Sequence, residues 1–179
     1  MIVSHHRILA TVAAVALLGT VGAPSATASS DRHPHRREEL TFTSTSSRPT
    51  VILAQDCNAQ AGVCLLPFIG YDTVAGDLAG TQVNSGAISV NPVTFVGPGV
   101  ALVSFSGTVT GCAGMGFATF RYNVNLGVTP GHNAGTFEVV QGSGAAGLTG
   151  LRGNAKFLAT VHPDGNVSSV GTADLTCDD

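Results

Sequence analysis

Apolar and polar positions alternate along several segments of the chain, most clearly between Phe117 and Leu126. The even-numbered positions of this segment are Ala118, Phe120, Tyr122, Val124 and Leu126. The odd-numbered positions inside it are polar: Thr119, Arg121, Asn123 and Asn125. Because successive side chains of a strand point to opposite faces, this period of two predicts a strand with one apolar face.

Similar short runs, rich in Val, Thr and Gly and separated by turn residues, recur from about residue 51 onward. They predict eight strands: Leu65–Tyr71, Leu78–Asn84, Ala87–Val90, Val100–Val109, Phe117–Leu126, Gly135–Gln141, Asn154–Val161 and Ser168–Thr176. No extended helical periodicity competes with them. We therefore expect an all-β domain, an eight-stranded antiparallel barrel, with a two-sheet β-sandwich as the alternative.

The apolar faces are expected to fill the barrel, with Phe120, Phe137 and Phe157 as core side chains. If the lumen holds a cavity instead, Tyr122 is the best-placed polar group inside it. Glu138 can pair with an arginine across neighbouring strands on the outer wall, a contact worth about 0–1 kcal/mol when exposed. Tyr122 and Glu138 are the candidate catalytic residues.

The N-terminal region has a different character. A short basic stretch precedes the apolar run Ile8–Val21, and small residues follow at Ala26–Ala28. This pattern is typical of a secretory signal peptide, so residues 1–28 are expected to be removed and the protein to be secreted. Residues 29–50 are charged and rich in Ser and Thr, which predicts a disordered polar linker. The barrel domain is then expected to span residues 51–179.

Charge and composition exclude several partners for the predicted domain. Its acidic residues outnumber its basic ones, which are Arg121, Arg152 and Lys156. Without a basic patch it should bind neither nucleic acid nor an anionic membrane surface. No segment of it approaches the roughly 20 apolar residues that span a bilayer. The histidine pair His33 and His35 lacks further ligands, so we expect no metal and no cofactor.

Four cysteines in an exported chain predict two disulfides. Of the three possible connectivities we favour Cys57–Cys64, which closes a short loop, together with Cys112–Cys177. The second bond would attach the C-terminal strand to the loop after Val109. No C-x-x-C motif supports a zinc site, and an oxidising compartment disfavours a catalytic thiol.

The segment Gly142–Gly153 contains G-x-G-x-x-G after a strand-like run and so imitates a dinucleotide-binding fingerprint. That fingerprint requires a following helix, whose N-terminus holds the pyrophosphate. Here Gly150 and Gly153 are followed directly by a predicted strand, which leaves no room for the helix. The segment is therefore interpreted as a glycine-rich crossing between two strands at the barrel end.

Catalytic motifs are absent from the sequence: it contains no G-x-S-x-G, H-E-x-x-H or Walker pattern. His132 and His162 lie in predicted turns, where histidines are most often solvated. Asp72 and Asp77 are close in sequence but fall on opposite strand faces, so no paired carboxylates are predicted.

Three segments carry a resemblance to a known family. They are Phe105–Gly111, Gly135–Gly144 and, above all, Leu148-Thr149-Gly150-Leu151-Arg152-Gly153 with Phe157. They resemble the allene oxide cyclase barrel-like superfamily, in particular its bacterial branch of uncharacterised small proteins. The resemblance covers roughly residues 71–178 and implies an eight-stranded barrel related in fold to plant allene oxide cyclases and dirigent proteins. Such barrels often associate through their outer walls, which leaves a homo-oligomer open.

Two functions follow as hypotheses. The first is a secreted barrel that binds a small apolar ligand or acts structurally, as the apolar strand faces and missing catalytic motifs suggest. The second, which the resemblance implies, is a cyclase or isomerase that folds an apolar substrate in the lumen. An open lumen lined by Tyr122 and a second ionisable group would favour the enzyme, whereas a completely filled lumen would favour the structural role.

Overall fold

The structure, a computed structural model, describes residues 39–58, 60–129 and 132–178. The predicted signal peptide, 1–28, and the first part of the predicted linker lie outside these residues. The described chain consists of strands and turns, and no helix in it could cross a membrane. The strands are β1 Leu40–Ile52, β2 Asp56–Asn58, β3 Val63–Gly76, β4 Leu78–Val90, β5 Gly97–Val109, β6 Gly116–Thr129, β7 His132–Val139, β8 Ala145–Ala146, β9 Arg152–Val161 and β10 Val167–Thr176.

Eight of these strands close into an antiparallel barrel. Neighbours pair in the order β1, β10, β9, β7, β6, β5, β4 and β3, and the pairing of β1 with β3 completes the ring. The two short strands lie outside the ring, β2 on β3 and β8 on β6. The predicted all-β barrel is thus confirmed, and the sandwich alternative is wrong because closure leaves no second sheet.

Strand β1 corrects the predicted extent of the linker. Residues Leu40–Ile52 form a barrel strand, although most of them fall within the polar segment 29–50 that we expected to be disordered. Leu40 and Phe42 point into the core, whereas the next inward residue, Ser44, bonds to Ser169 through its hydroxyl at 2.7 Å. Inward serines hide the apolar alternation that would have indicated a strand.

Two other strands differ from their predicted bounds in ways that matter for the site. The predicted strands Leu78–Asn84 and Ala87–Val90 are one continuous strand, β4. Strand β3 continues past Tyr71 to Gly76, so Asp72 lies inside a strand. Its even-numbered position places it on the same face as the buried Phe68 and Val74.

One end of the barrel, which we call the closed end, is sealed by the glycine-rich crossing. Leu148 is fully buried and Leu151 is 3% exposed, so both side chains fill this end of the core. The glycines permit the tight crossing, since a Cβ on Gly147 would lie 2.8 Å from the Cα of Gly114. The predicted role of this segment as a crossing at the barrel end is therefore confirmed. Arg152 pairs with the carboxylate of Asp178 at this end.

Both predicted disulfides are present, and the described residues include no free cysteine. Cys57–Cys64 joins opposed residues of β2 and β3 at the other end of the barrel, which we call the open end. Cys112–Cys177 joins the β5–β6 loop to the residue after β10 at the closed end. Cys112 and Cys177 both pack against the buried core.

Asp77, in the turn between β3 and β4, connects three parts of the closed end. Its Oδ2 accepts hydrogen bonds from the N–H of Thr41 at 2.9 Å and the hydroxyl of Thr41 at 3.2 Å. Its Oδ1 accepts one from the hydroxyl of Thr110 at 3.1 Å. These bonds, the Thr41 N–H first, hold the pKa of Asp77 below its ordinary value.

The substitution Asp77→Asn should therefore lower the thermal midpoint at neutral pH. A depressed pKa of Asp77 stabilises the folded state at pH values above the ordinary aspartate pKa of about 4. This contribution to stability is lost as the pH falls through the lower pKa that Asp77 has in the folded state. Melting curves from pH 7 down to pH 2 should accordingly converge for the variant and the wild type. Asp56→Asn, at an exposed site, is the control, and a constant gap at every pH would contradict the prediction.

Candidate functional site

The closed half of the lumen is filled by aromatic side chains. Phe137 lies at the centre, with its ring centroid 6.3 Å from Phe42, 6.1 Å from Phe120 and 4.9 Å from Phe157. A void of only about 20 Å³ remains beside these rings, enough for a single water molecule at most. The predicted core roles of Phe120, Phe137 and Phe157 are confirmed, and this half has no room for a ligand.

Two of these rings owe their positions to glycines on neighbouring strands. A Cβ on Gly171 would lie 2.6 Å from Cε1 of Phe42, and one on Gly135 would lie 2.5 Å from Cε1 of Phe157. Each ring thus packs against backbone that carries no side chain. The glycines of these strands serve packing as well as turns.

The open half of the lumen contains a cavity of about 220 Å³. It reaches the surface near the β9–β10 turn, where Gly165 and Val161 are exposed. Its apolar wall comes mainly from Phe68, Ile88, Val124, Leu126, Ala159 and Val161. Its polar groups are Ser46, Thr50, Asp72, Asn84, Tyr122 and Asn133. The barrel is therefore neither completely filled nor completely hollow.

A hydrogen-bonded trio of polar side chains lies on the inner faces of β3 and β4. Gln82 Nε2 and Asn84 Nδ2 both donate to Oδ2 of Asp72, at 2.8 and 2.7 Å. Gln82 is directly opposite Asp72 in the strand register, and Asn84 is two residues further along the same face. The two amides hold the carboxylate in one orientation at the base of the cavity.

The trio leaves one acceptor without a partner. Because Asn84 donates its NH₂ to the carboxylate, the orientation of its amide is fixed and its Oδ1 faces away from Asp72. This oxygen is buried and is the one buried side-chain polar atom without a hydrogen bond in the described part of the chain. A buried acceptor without a partner costs roughly 1–3 kcal/mol, so the trio is less stable than its two hydrogen bonds alone suggest.

Tyr122 lies at the boundary between the filled and hollow halves. Its ring stacks on Phe157 at a centroid distance of 5.1 Å and an interplanar angle of 14°. Burial, and secondarily the negative charge of Asp72, raises the pKa of the Tyr122 phenol. The group is therefore neutral at physiological pH and able to donate its proton in a hydrogen bond.

The structure places the candidate residues from the sequence on different sides of the wall. Tyr122 lines the cavity, as predicted for an open lumen. Glu138 is exposed on the outer wall, directly opposite Arg121 in the β6–β7 register. His132 and His162 bond to the hydroxyls of Thr160 and Ser168 near the open end.

Sequence reasoning missed the trio of Asp72, Gln82 and Asn84. The signal available in the sequence was spacing. Asp72 lies an even number of residues from Phe68 and Val74, so in a strand that includes all three residues its side chain faces inward with theirs. Within the described residues, no group of three or more His, Cys, Asp or Glu side chains could hold a metal ion.

The fold and cavity define a small eight-stranded barrel with one sealed and one hollow end. The chain belongs to the DUF3224 family, described as proteins of unknown function, whose family model matches residues 53–168. A similar solved structure is that of a DUF3224 protein of unknown function from Shewanella oneidensis MR-1. It is 19% identical, with a TM-score of 0.54 over 79% of this chain and 100% of that one.

At that identity the likeness to the solved structure shows a shared fold and no more. No curated protein matches the chain. The barrel that the sequence resemblance implied is present, but these comparisons show DUF3224 membership and do not show a relationship to allene oxide cyclases.

Proposed function

We propose that the protein binds a small, largely apolar molecule in the open half of its barrel. The observation that carries this proposal is the cavity of about 220 Å³, walled by apolar side chains and containing one fixed polar cluster. Binding sites for small molecules commonly combine an apolar wall with a few oriented polar groups. The filled half of the lumen then acts as a rigid floor for this site.

The size of the cavity limits the ligand. It exceeds the roughly 150 Å³ of an apolar protein cavity that takes up benzene, but is below the 300–1,000 Å³ typical of drug-sized ligands. A single ring with a short chain fits this range. The Asp72 carboxylate, held by its two amide partners, would orient such a ligand by accepting a hydrogen bond from it.

We also propose that the protein works outside the cytoplasm. Its two disulfides are compatible with an extracellular environment, since such bonds persist mainly in oxidising compartments. The predicted signal peptide, 1–28, supports the same location.

A cyclase or isomerase is the second candidate function, and one observation favours it. Tyr122 and Asp72 line the same cavity, the first as a neutral phenol and the second as a fixed carboxylate. Together they could donate a proton to a reacting oxygen and accept one from carbon, as general acid–base catalysis requires. Glu138 lies outside the cavity and takes no part in this candidate mechanism.

Filling the cavity tests the binding proposal. The substitution Ala159→Leu adds an apolar side chain to the cavity wall, whereas Ala87→Leu makes the same change in an outer-wall groove. The probes are 2-phenylethanol, 2-phenylethylamine and phenylacetate, with binding measured by ligand-observed NMR and titration calorimetry. We expect at least one probe to bind the wild type and Ala87→Leu, and to bind Ala159→Leu about tenfold more weakly, the loss of roughly 1.4 kcal/mol.

Failure of all three probes to bind the wild type would overturn the proposal. Equal affinity of the wild type and Ala159→Leu for every probe would do the same, because binding would then occur elsewhere.

A further inference from the structure

We propose that the cavity selects cationic amines, meaning a protonated primary or secondary amine attached to a small apolar body. This inference rests on the proposed binding function and specifies its ligand class. It is carried by a carboxylate with one free oxygen, which lines a largely apolar cavity and has no cationic partner there among the described residues.

Among the described residues, no cationic side chain balances the charge of Asp72 within the cavity. The lining contains no Lys, Arg or His among the described residues. On β1, Arg48 is turned to the outer face of the barrel, where its guanidinium carbon lies 3.4 Å from the ring centroid of Tyr71. Gln82 and Asn84 orient the carboxylate but bring no charge, so the negative charge in the lumen is available to a ligand.

The second oxygen of Asp72 matches the donors of an ammonium group. Both amides donate to Oδ2 of Asp72, and no hydrogen bond of the described residues uses its Oδ1. An ammonium carries several N–H donors and no acceptor, and can therefore form a charge-assisted hydrogen bond to this oxygen.

Other ligand heads fit this site less well. An alcohol has one donor, which can bond to Asp72 but does not neutralise its charge. A carboxylate head would place two negative charges together in a cavity with apolar walls, where repulsion is poorly screened. Asp72 and Tyr122 line the same cavity, and the negative charge of Asp72 contributes, after burial, to the raised pKa of the Tyr122 phenol.

The three probes used above have nearly the same apolar body and differ in head group, so their ranking tests this inference. We expect the wild type to bind 2-phenylethylamine about tenfold more tightly than 2-phenylethanol, with phenylacetate the weakest. Asp72→Asn should remove the preference for the amine while retaining affinity for the alcohol. Glu138→Gln, which removes a carboxylate from the outer wall, should retain the wild-type ranking.

The possible outcomes separate this inference from the proposed function. If the wild type binds the alcohol at least as tightly as the amine, the inference fails and the binding function stands. An amine preference that persists in Asp72→Asn overturns the assignment to this carboxylate. If no probe binds the wild type, both proposals fail. The wild-type ranking decides the selectivity even if Asp72→Asn does not fold. Retained affinity of the Asp72→Asn variant for the alcohol would show that this variant is folded.

Discussion

Removing the Cys112–Cys177 bond by replacing both cysteines with alanine should lower the free energy of unfolding by about 4 kcal/mol. The bond spans 65 residues, and a cross-link over a long loop removes much of the conformational entropy of the unfolded chain. Removing Cys57–Cys64, which spans only 7 residues, should cost about 2 kcal/mol in the same chain-entropy treatment.

Urea denaturation of the two double variants and the wild type measures this difference directly. Replacing both partners avoids an unpaired thiol, which could form bonds between molecules. The short-loop variant is the matched control, because it loses the same chemical bond at the opposite end of the barrel. Equal losses for the two variants would show that loop length does not determine the stabilisation.

Leu148→Ala should destabilise the barrel by roughly 2–5 kcal/mol, the range measured for removal of large aliphatic side chains from protein cores. Leu148 is completely buried at the closed end, where the surrounding glycine-rich backbone is already in close contact and has little freedom to collapse. The control is Leu102→Ala on the outer wall, where the side chain is 54% exposed and the same change should cost much less.

Denaturant unfolding would measure the free energy of unfolding of both leucine variants. Binding of the three small-molecule probes would show whether the cavity at the open end is intact. The cavity and Leu148 are at opposite ends of the lumen, so a folded Leu148→Ala protein should retain the probe affinities of the wild type. If Leu148→Ala lost no more stability than Leu102→Ala, Leu148 would not be the residue that seals the core.

The sequence predicted the central strands well because their alternation is undisturbed. In Phe117–Leu126 every second residue is buried or half-buried, and the polar residues between them are on the outer wall or partly covered. Phe137 and Phe157 were placed inside the barrel by the same rule. The cysteine pairing was predicted from the short loop that Cys57–Cys64 closes, which leaves Cys112 to pair with Cys177.

Strand β1 and the polar trio escaped prediction for the same physical reason. Hydrophobic periodicity detects a strand only where the lumen is apolar, and the hollow half contains polar groups. Ser44 and Ser46 therefore made the middle of β1 look like a linker. Asp72 likewise looked like the end of β3, although its two amide partners allow it to lie inside. The residues that form the candidate site are those whose sequence pattern departs from that of a core.

The closure of the ring by β1 determines how much of this chain is needed to form a closed barrel. The family model starts at residue 53, directly after β1, and stops at residue 168, the second residue of β10. A polypeptide limited to that segment would lack both strands between β9 and β3, together with Phe42 of the aromatic core. It would expose two unpaired strand edges, the feature that promotes strand pairing between molecules. The segment that matches the family model is therefore shorter than the smallest part of this chain that can form a closed barrel.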